Sequence, residues 1–215
     1  CTAQALLAIT AGAYAVYHGP EGLKQIAQTL HANASRVADA LTEAGLKLVH
    51  ESFFDTVAFD VEGKADEYLK KAADAGINIR KINDDRISIS VGESHDDAVL
   101  IALVEAFGAT LPESGSHEIS SDLLRTDEYM QHPVFHLYRS ETSMMRYLRQ
   151  LSDKDLALDR TMIPLGSCTM KLNAAAEMEP ISWPEFASIH PLAPAEQTKG
   201  WQALIEELSD WLVNI

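Results

Sequence analysis

The chain has 215 residues, of which 47% are hydrophobic and 23% charged, a composition typical of folded globular proteins and not of disordered, collagen-like or coiled-coil chains. Its formal net charge of −15 would repel a phosphate backbone and argues against a nucleic-acid partner. Two cysteines are too few for a secreted disulfide scaffold, and no run of about 18 apolar residues is present to span a membrane, so we expect a cytoplasmic protein.

Two helices separated by a break are the first predicted elements. Residues 2–17 are almost entirely apolar or small, which predicts a helix packed on several sides. Gly19 and Pro20 interrupt that pattern. From Pro20 onward, apolar residues recur at three-four spacing until Gly45, which predicts a long amphipathic helix that ends at this glycine.

Strands and a helix follow the long helix. Alternating apolar residues predict strands over 46–50 and 53–61. A helix is expected over 65–75. Residues 77–82 and 86–91 then predict an antiparallel hairpin.

A further helix completes this part of the chain. Ser94 and Asp97 predict a capping box at its start, and Gly108 predicts its end. The order strand, helix, hairpin, helix is typical of an antiparallel sheet covered on one face by helices. We therefore predict an α+β domain that ends near residue 111.

The rest of the chain is less regular. Residues 111–139 combine serine, glycine, proline and charges without a sustained period, which predicts a linker. A short helix is expected around 144–151, an irregular segment over 158–173, and a final helix with one apolar face over 201–215. Because the chain begins without methionine and ends within a helical pattern, we expect it to be part of a larger protein. The predicted division has three parts: 1–111, 112–140 and 141–215.

The segment MIPLGSCTMKLN, residues 162–173, is the first candidate for chemistry. Ser167, Thr169 and the backbone N–H groups of its Gly-Ser turn have the donors to hold an anion, and an ordinary loop is the alternative. Cys168 is either a nucleophile activated by a nearby cation or an inert buried thiol. Lys171 is a partner for a carboxylate or phosphate, a Schiff-base lysine, or a solvent-facing residue.

Histidine offers one further candidate. His190 precedes a proline in the stiff stretch FASIHPLAP, which favours either a fixed contact to a cofactor or another domain, or a surface turn. No H-E-x-x-H or paired-cysteine spacing is present, so we predict no metal site. The sequence also lacks the G-x-G-x-x-G, Walker-type and G-x-S-x-G motifs, which argues against dinucleotide, nucleotide and hydrolase functions that depend on them.

Two long segments resemble the P-protein family of glycine decarboxylases. Residues 140–212 contain MIPLGSCTMKLN, the WPEF of 183–186 and the HPLAP of 190–194, and they closely resemble the start of the catalytic half of that family. The opening CTAQALLAITAGAYAVYHGPEGL resembles the late part of the first half, where a large domain meets a small one. The chain is thus identified as an internal fragment of this family.

The resemblance implies a fold and an activity. It implies two aminotransferase-like halves of the fold type I pyridoxal-phosphate class, with 1–111 as the end of the first half and 141–215 as the N-terminal arm of the catalytic half. It implies an enzyme that uses pyridoxal phosphate to release CO2 from glycine and to pass the aminomethyl group to the lipoyl arm of H-protein. The aldimine lysine of the family is absent from this chain, so we expect no catalytic residue here and no cofactor bound to the fragment, which we expect to be inactive alone.

The resemblance also implies roles for particular residues. His190 is expected on the wall of the active site. Arg139 and Ser143 stand where relatives often have histidine and glutamate, so no role is predicted for them. The loop expected to line the active-site entrance and to help hold substrate and cofactor comprises Ser167, Cys168, Thr169, Lys171 and Asn173.

Several expectations concern partners. The implied partners are glycine, lipoylated H-protein and the rest of the P-protein, in a bacterial cytoplasm, as a homodimer or an assembly of halves. A non-catalytic scaffold module that docks the catalytic half is the alternative, and a small enzyme with Cys168 as nucleophile is a third hypothesis. On its own, the segment after residue 140 is expected to expose apolar faces that include Trp201 and Trp211 and that promote association.

Overall fold

The structure is a computed structural model that describes residues 3–154 and 175–215. The chain divides into two compact units, Cys1–Asp155 and Leu156–Ile215. The predicted division at residues 111 and 140 stays a prediction. No helix among the described residues is long and apolar enough to cross a membrane.

A long kinked helix, α1 (Ala3–Glu43), opens the first unit. Gly19 breaks it with a backbone conformation of φ 61° and ψ −176°, directly before Pro20. At the other end, Gly45 has a φ of 95°, and the N–H of Leu46 donates to the carbonyl of Leu41 at 3.0 Å, which satisfies a carbonyl of the last turn. The predicted break and the predicted end of the second helix are both confirmed.

A four-stranded antiparallel sheet in the order β1-β2-β4-β3 follows α1. The pairing of β2 with β4 places Val57 opposite Ile89 and Phe59 opposite Ile87. The predicted hairpin is confirmed as β3 and β4, with an irregular register between Lys81 and Asn83. The strands are β1 (Lys47–Leu48), β2 (Thr56–Asp60), β3 (Arg80–Asn83) and β4 (Arg86–Ser90).

One face of this sheet is the core of the unit. Two further helices, α2 (Ala65–Asp74) and α3 (Asp97–Ala106), pack with the second arm of α1 around it. The apolar residues at every second position of β2 and β4 are buried, as expected for strands covered on one side. The α+β class is therefore confirmed, and the core includes Val37, Leu41, Val57, Phe59, Ile87, Ile89, Leu100 and Val104.

The predicted cap of α3 is wrong. The N-cap residue is Asp96, whose side chain accepts a hydrogen bond from the N–H of Val99 at 3.1 Å. The predicted box began two residues earlier, at Ser94. Asp96 has the extended backbone that an N-cap requires, with φ −77° and ψ 176°. Serine and aspartate both cap helices well, so the sequence pattern alone did not distinguish Ser94 from Asp96 as the N-cap.

Substitution of the true cap is expected to destabilise the first unit. Asp96→Ala leaves the N–H of Val99 without its side-chain acceptor and should lower the free energy of unfolding by about 1 kcal/mol. Urea unfolding followed by circular dichroism measures this change. Ser94→Ala is the matched control, and an equal loss in both variants would contradict the assignment of the cap.

The predicted linker is attached to α1. The backbone N–H and hydroxyl of Ser116 donate to Asp39 at 2.6 and 2.8 Å, and the N–H of His117 donates to the hydroxyl of Ser35 at 2.8 Å. The backbone of this segment is irregular, with a short 3-10 helix at Ser121–Leu123. Its lack of periodicity therefore reflects an irregular chain that side-chain hydrogen bonds hold in place. Two helices come next, α4 (Val134–Leu137) and α5 (Glu141–Ser152), and α5 confirms the short helix predicted around 144–151.

The described part of the second unit, residues 175–215, consists of several short helices followed by one longer helix. The described part contains α6 (Ala175–Met178), α7 (Pro184–Ala187), two 3-10 helices at Glu179–Ser182 and Ala195–Gln197, and the predicted final helix α8 (Lys199–Val213). The ring of Phe186 meets Trp201 edge-on at a centroid distance of 5.4 Å. Trp201 is accordingly half-buried, whereas Trp211 is 61% exposed, so only the second of these two tryptophans is as exposed as expected.

Candidate functional site

The predicted active-site loop lies outside the described residues. Residues 155–174 include all five members of the loop, so its geometry is not described and its role stays a prediction. The members are Ser167, Cys168, Thr169, Lys171 and Asn173.

His190, the remaining predicted site residue, lies exposed in a turn of the second unit. Its Nδ1 accepts a hydrogen bond from the N–H of Leu192 at 3.0 Å, and its carbonyl accepts from the N–H of Ala193 at 2.9 Å. The side chain thus stabilises its own turn. The contact between His190 and a cofactor or another domain stays a prediction.

Arg139, for which no role was predicted, packs against the kink of α1. Its guanidinium donates to Glu21 at 2.7 Å and to the carbonyl of Phe135 at 3.0 Å. Phe135 belongs to a short helix, α4 (Val134–Leu137). The same guanidinium lies against Gly19, where a β-carbon would collide with it. Arg139 therefore connects α4 with the kink and with the part of α1 that follows it.

The Arg139 ion pair should be visible in the titration of Glu21. The hydrogen bond from Arg139 lowers the pKa of the Glu21 carboxyl, so the pair stabilises the fold above the ordinary glutamate pKa and is lost as pH falls through the lowered value. Arg139→Ala should raise the pKa of Glu21 toward its ordinary value, as measured by carboxyl 13C NMR. Arg146→Ala, which removes an exposed arginine of the next helix, should leave that pKa unchanged.

Ser143, which stands where relatives often have glutamate, takes part in a helix cap. It occupies the third position of α5 (Glu141–Ser152), whose N-cap is Ser140. The hydroxyl of Ser140 accepts from the N–H of Ser143 at 3.3 Å, and the hydroxyl of Ser143 accepts from the N–H of Ser140 at 3.1 Å. These reciprocal bonds form a capping box, the arrangement that glutamate provides at the same position.

A groove of about 1460 Å³ runs along α1 in the first unit. Its walls are formed by α1 between Pro20 and Arg36, by the segment between Glu113 and Ile119, and by residues between Leu124 and Gln131. We call it the α1 groove. Arg36 also lines the groove, and its guanidinium donates to the carbonyl of Pro112 at 2.8 Å and to Asp97 at 2.7 Å.

Two histidines line the α1 groove at the point where the segment 113–119 meets the helix. His31 has both ring nitrogens near carbonyl oxygens, Nδ1 at 2.9 Å from Phe54 and Nε2 at 3.2 Å from His117. The ring of His117 has its Nε2 at 3.3 Å from a carboxylate oxygen of Asp39. Sequence patterns did not indicate this cluster, because its members belong to one helix and a segment without periodicity.

None of the lysines among residues 3–154 and 175–215 is fully buried, and the predicted absence of a bound cofactor stays a prediction. A lysine that forms a Schiff base is activated by removal from water or by a neighbouring cation. All lysines in 3–154 and 175–215 are exposed or half-buried, and those at positions 71 and 81 pair with carboxylates. In these ranges no group of three or more histidine, cysteine, aspartate or glutamate side chains is arranged to hold a metal ion. The predicted absence of a metal site stays a prediction.

Comparison with known proteins shows similarity along the whole chain. Residues 1–107 match the family described as glycine cleavage system P-protein. All of the chain aligns with proteins named glycine dehydrogenase (decarboxylating), at 50% identity in Roseobacter denitrificans and at 51% in Jannaschia and in Cereibacter sphaeroides.

These matches agree with the resemblance found in the sequence. The chain spans 23% of the length of each of these relatives. The family match covers the kinked helix and the sheet, and the alignments extend through the predicted active-site loop and α8. The chain belongs to the glycine cleavage system P-protein family.

Proposed function

We propose that this chain is part of a glycine dehydrogenase (decarboxylating) that uses pyridoxal phosphate, releases CO2 from glycine and passes the aminomethyl group to the lipoyl arm of H-protein. The observation that carries the proposal is the 50–51% identity to proteins of that name over the entire chain. Pyridoxal phosphate supplies the electron acceptor for the decarboxylation when it is bound. A bacterial cytoplasm and a dimer or an assembly of halves are part of the proposal.

This chain contributes scaffold and one loop to the proposed enzyme. Residues 1–111 are the end of a fold type I half, with long helices and its small α+β domain, residues 112–140 are a linker, and residues 141–215 are the N-terminal arm of the catalytic half. The loop Ser167, Cys168, Thr169, Lys171 and Asn173 lines the entrance of the active site, with His190 on the same wall. In support of a scaffold role, none of the lysines of the described residues is removed from water, which is one of the two ways to activate a Schiff-base lysine.

A chimeric enzyme tests the activity. The aligned 23% of the Roseobacter denitrificans protein is replaced by this chain, and glycine-dependent CO2 release is measured with lipoylated H-protein. We expect activity to be retained. A chimera that folds and binds pyridoxal phosphate but releases no CO2 would overturn the proposal.

Variants of the chimera test the loop. Lys171→Ala is expected to reduce glycine decarboxylation about tenfold or more, since it removes a charge-assisted hydrogen-bond donor to substrate or cofactor. Lys199→Ala, at an exposed lysine of α8, is the matched control and should keep full activity. Equal activity in the two variants would remove Lys171 from the site.

A second experiment tests the inactivity of the chain alone. Purified chain is titrated with pyridoxal phosphate, reduced with borohydride and mapped by mass spectrometry. We expect no stoichiometric adduct at a single lysine. A specific adduct at Lys171 would show that the chain carries its own cofactor lysine and would support an independent enzyme.

The alternative function is a non-catalytic module that docks the catalytic half. The observation in its favour is the apolar surface of α8, where Leu208, Trp211 and Leu212 are 52–66% exposed. In the chimera, this alternative predicts normal activity for every loop variant. Loss of activity in Lys171→Ala with normal assembly would exclude it.

A further inference from the structure

The face of the sheet opposite the core is positively charged, whereas the chain as a whole is acidic. We propose that this face, which we call the open sheet face, docks an acidic segment of a separate protein. The proposal concerns the first unit and is independent of the proposed enzymatic activity. The strand residues that form the open sheet face are Lys47, Thr56, Ala58, Asp60, Arg80, Arg86, Ser88 and Ser90.

The register of the strands places these side chains together. Side chains alternate between the two faces of a strand, and residues directly opposite one another in an antiparallel pair share a face. Lys47 is opposite Asp60, which is opposite Arg86. On the other side of β4, Arg80 is opposite Ser88. Arg80 and Arg86 are therefore diagonal neighbours on one face, with Cα atoms about 7–8 Å apart.

Cations outnumber carboxylates on the open sheet face. Its strand residues include three cations and one carboxylate, that of Asp60, whereas the whole chain has 17 lysines and arginines and 32 aspartates and glutamates. The Nε of Arg86 donates to Asp60 at 2.7 Å. Lys47 and Arg80 have no ion pair with any residue of 3–154 or 175–215. Their charges are free to bind the carboxylates of a partner.

The core side of the same edge strand is different, because its cation is neutralised. Lys81 lies opposite the buried Ile87. Its ammonium group pairs with Asp66 of α2 and with Asp84 of the hairpin turn, at 2.8 Å in both cases. Carboxylates of the first unit therefore satisfy the lysine on one side of β3, while the arginine on the other side is left to solvent.

The open sheet face is broad and flat. Its four strands lie about 4.8 Å apart, so Lys47 and Arg80, on the two edge strands, are separated by about 14 Å across the sheet. Small residues such as Ala58 and Ser88 occupy positions between them. Neither the α1 groove nor the smaller cavity between α1 and the loop before α3 includes a residue of this face. A small anion would stay largely in water on such a surface, since sites for small molecules are concave.

A polypeptide segment with several carboxylates matches this arrangement. Every second side chain of an extended segment projects on the same side, about 7 Å apart, so two or three carboxylates span the distance from Lys47 to Arg80. The hydroxyl groups of Thr56 and Ser90, which lie 2.9 Å apart, add hydrogen-bond donors. A short segment feels mainly the charges within the screening length of about 8 Å. A nucleic acid, with its continuous phosphate charge, would also meet the net charge of −15 of the chain.

Titration of the 15N-labelled chain with an acidic peptide tests the docking surface. The probe is a short peptide that alternates glutamate with serine, and the same peptide with glutamine in place of glutamate is the control. We expect the amide signals of Lys47, Arg80 and Ser88 to shift with the acidic peptide, and the affinity to fall as salt is added.

Three outcomes of this titration would overturn the proposal. The first is an absence of these shifts at millimolar peptide. The second is an equal response to the glutamine peptide. The third is a single-stranded oligonucleotide that shifts the same amides at lower concentration, since the face would then bind phosphate in preference to carboxylate.

Arg80→Glu reverses the charge at the centre of the proposed contact. We expect it to weaken binding of the acidic peptide about fivefold, since it replaces an attraction with a repulsion at an exposed site. Lys24→Glu, which makes the same change of charge at an exposed position of α1, should bind almost as well as the unmodified chain. Equal losses in the two variants would show that only net charge matters and that no docking surface exists.

Asp60→Asn is a second variant, whose expected effect a folding defect cannot imitate. It removes the carboxylate of the face and frees the guanidinium of Arg86, so the acidic peptide should bind about two to three times more tightly. Asp74→Asn is the matched control, because Asp74 pairs with Lys70 on α2, at 2.5 Å and away from this face. No gain in Asp60→Asn, or the same gain in both variants, would contradict the proposal.

Discussion

Gly19→Ala is expected to lower the free energy of unfolding of the first unit by about 3 kcal/mol. Gly19 has φ 61° and ψ −176°, a region of backbone conformation that is essentially restricted to glycine. In addition, a β-carbon there would lie 2.5 Å from the carbonyl oxygen of Phe135 and would collide with the guanidinium of Arg139. Urea unfolding followed by circular dichroism measures the loss as a lower midpoint with an unchanged slope.

Gly12→Ala is the matched control for this prediction. Gly12 lies in the same helix and has no positive φ, and apart from its chain neighbours and the adjacent backbone of its own helix, no atom lies within 4 Å of the position of an added β-carbon. Alanine is the better helix former, so this variant should gain roughly 0.5–1 kcal/mol. If Gly19→Ala were as well tolerated as Gly12→Ala, the kink and the docking of α4 would not be as described.

Local patterns were sufficient for most of the first unit. Gly19 and Pro20 interrupt helical periodicity through backbone geometry that each residue carries by itself. The alternation in β2 and β4 follows from burial of one sheet face, so it can be read from a few consecutive residues. Both features depend on neighbours in sequence, and the structure contains them where they were expected.

Local patterns could not predict the contacts between residues that are far apart in the sequence. The segment around Ser116 appeared to be a linker because its hydrogen bonds go to Asp39 and Ser35, which are 77 and 82 residues away in sequence. The role of Arg139 likewise depends on Glu21, which is 118 residues away. A single sequence contains no local signal for such pairs, since serine, arginine and aspartate are also common on solvated surfaces.

The candidate active-site loop was predicted from the match to a family and not from a local pattern. Donor groups at Ser167 and Thr169 indicate only that an anion could be held, a property shared by many loops. The long match to one family made the chemistry specific, because the relatives are named for glycine decarboxylation. Family membership therefore supports the reaction, while the described residues explain how the scaffold holds together.

Phe59→Ala is expected to destabilise the first unit by about 3–5 kcal/mol. Phe59 lies in β2, is fully buried, and pairs across the sheet with the equally buried Ile87. Removal of its ring leaves a cavity in the core that the surrounding helices and strands can fill only in part. Phe54→Ala is the matched control in the urea experiment, because Phe54 is 44% exposed and its loss should cost much less. Comparable losses in the two variants would mean that the face of the sheet bearing Phe59 is not the core of this unit.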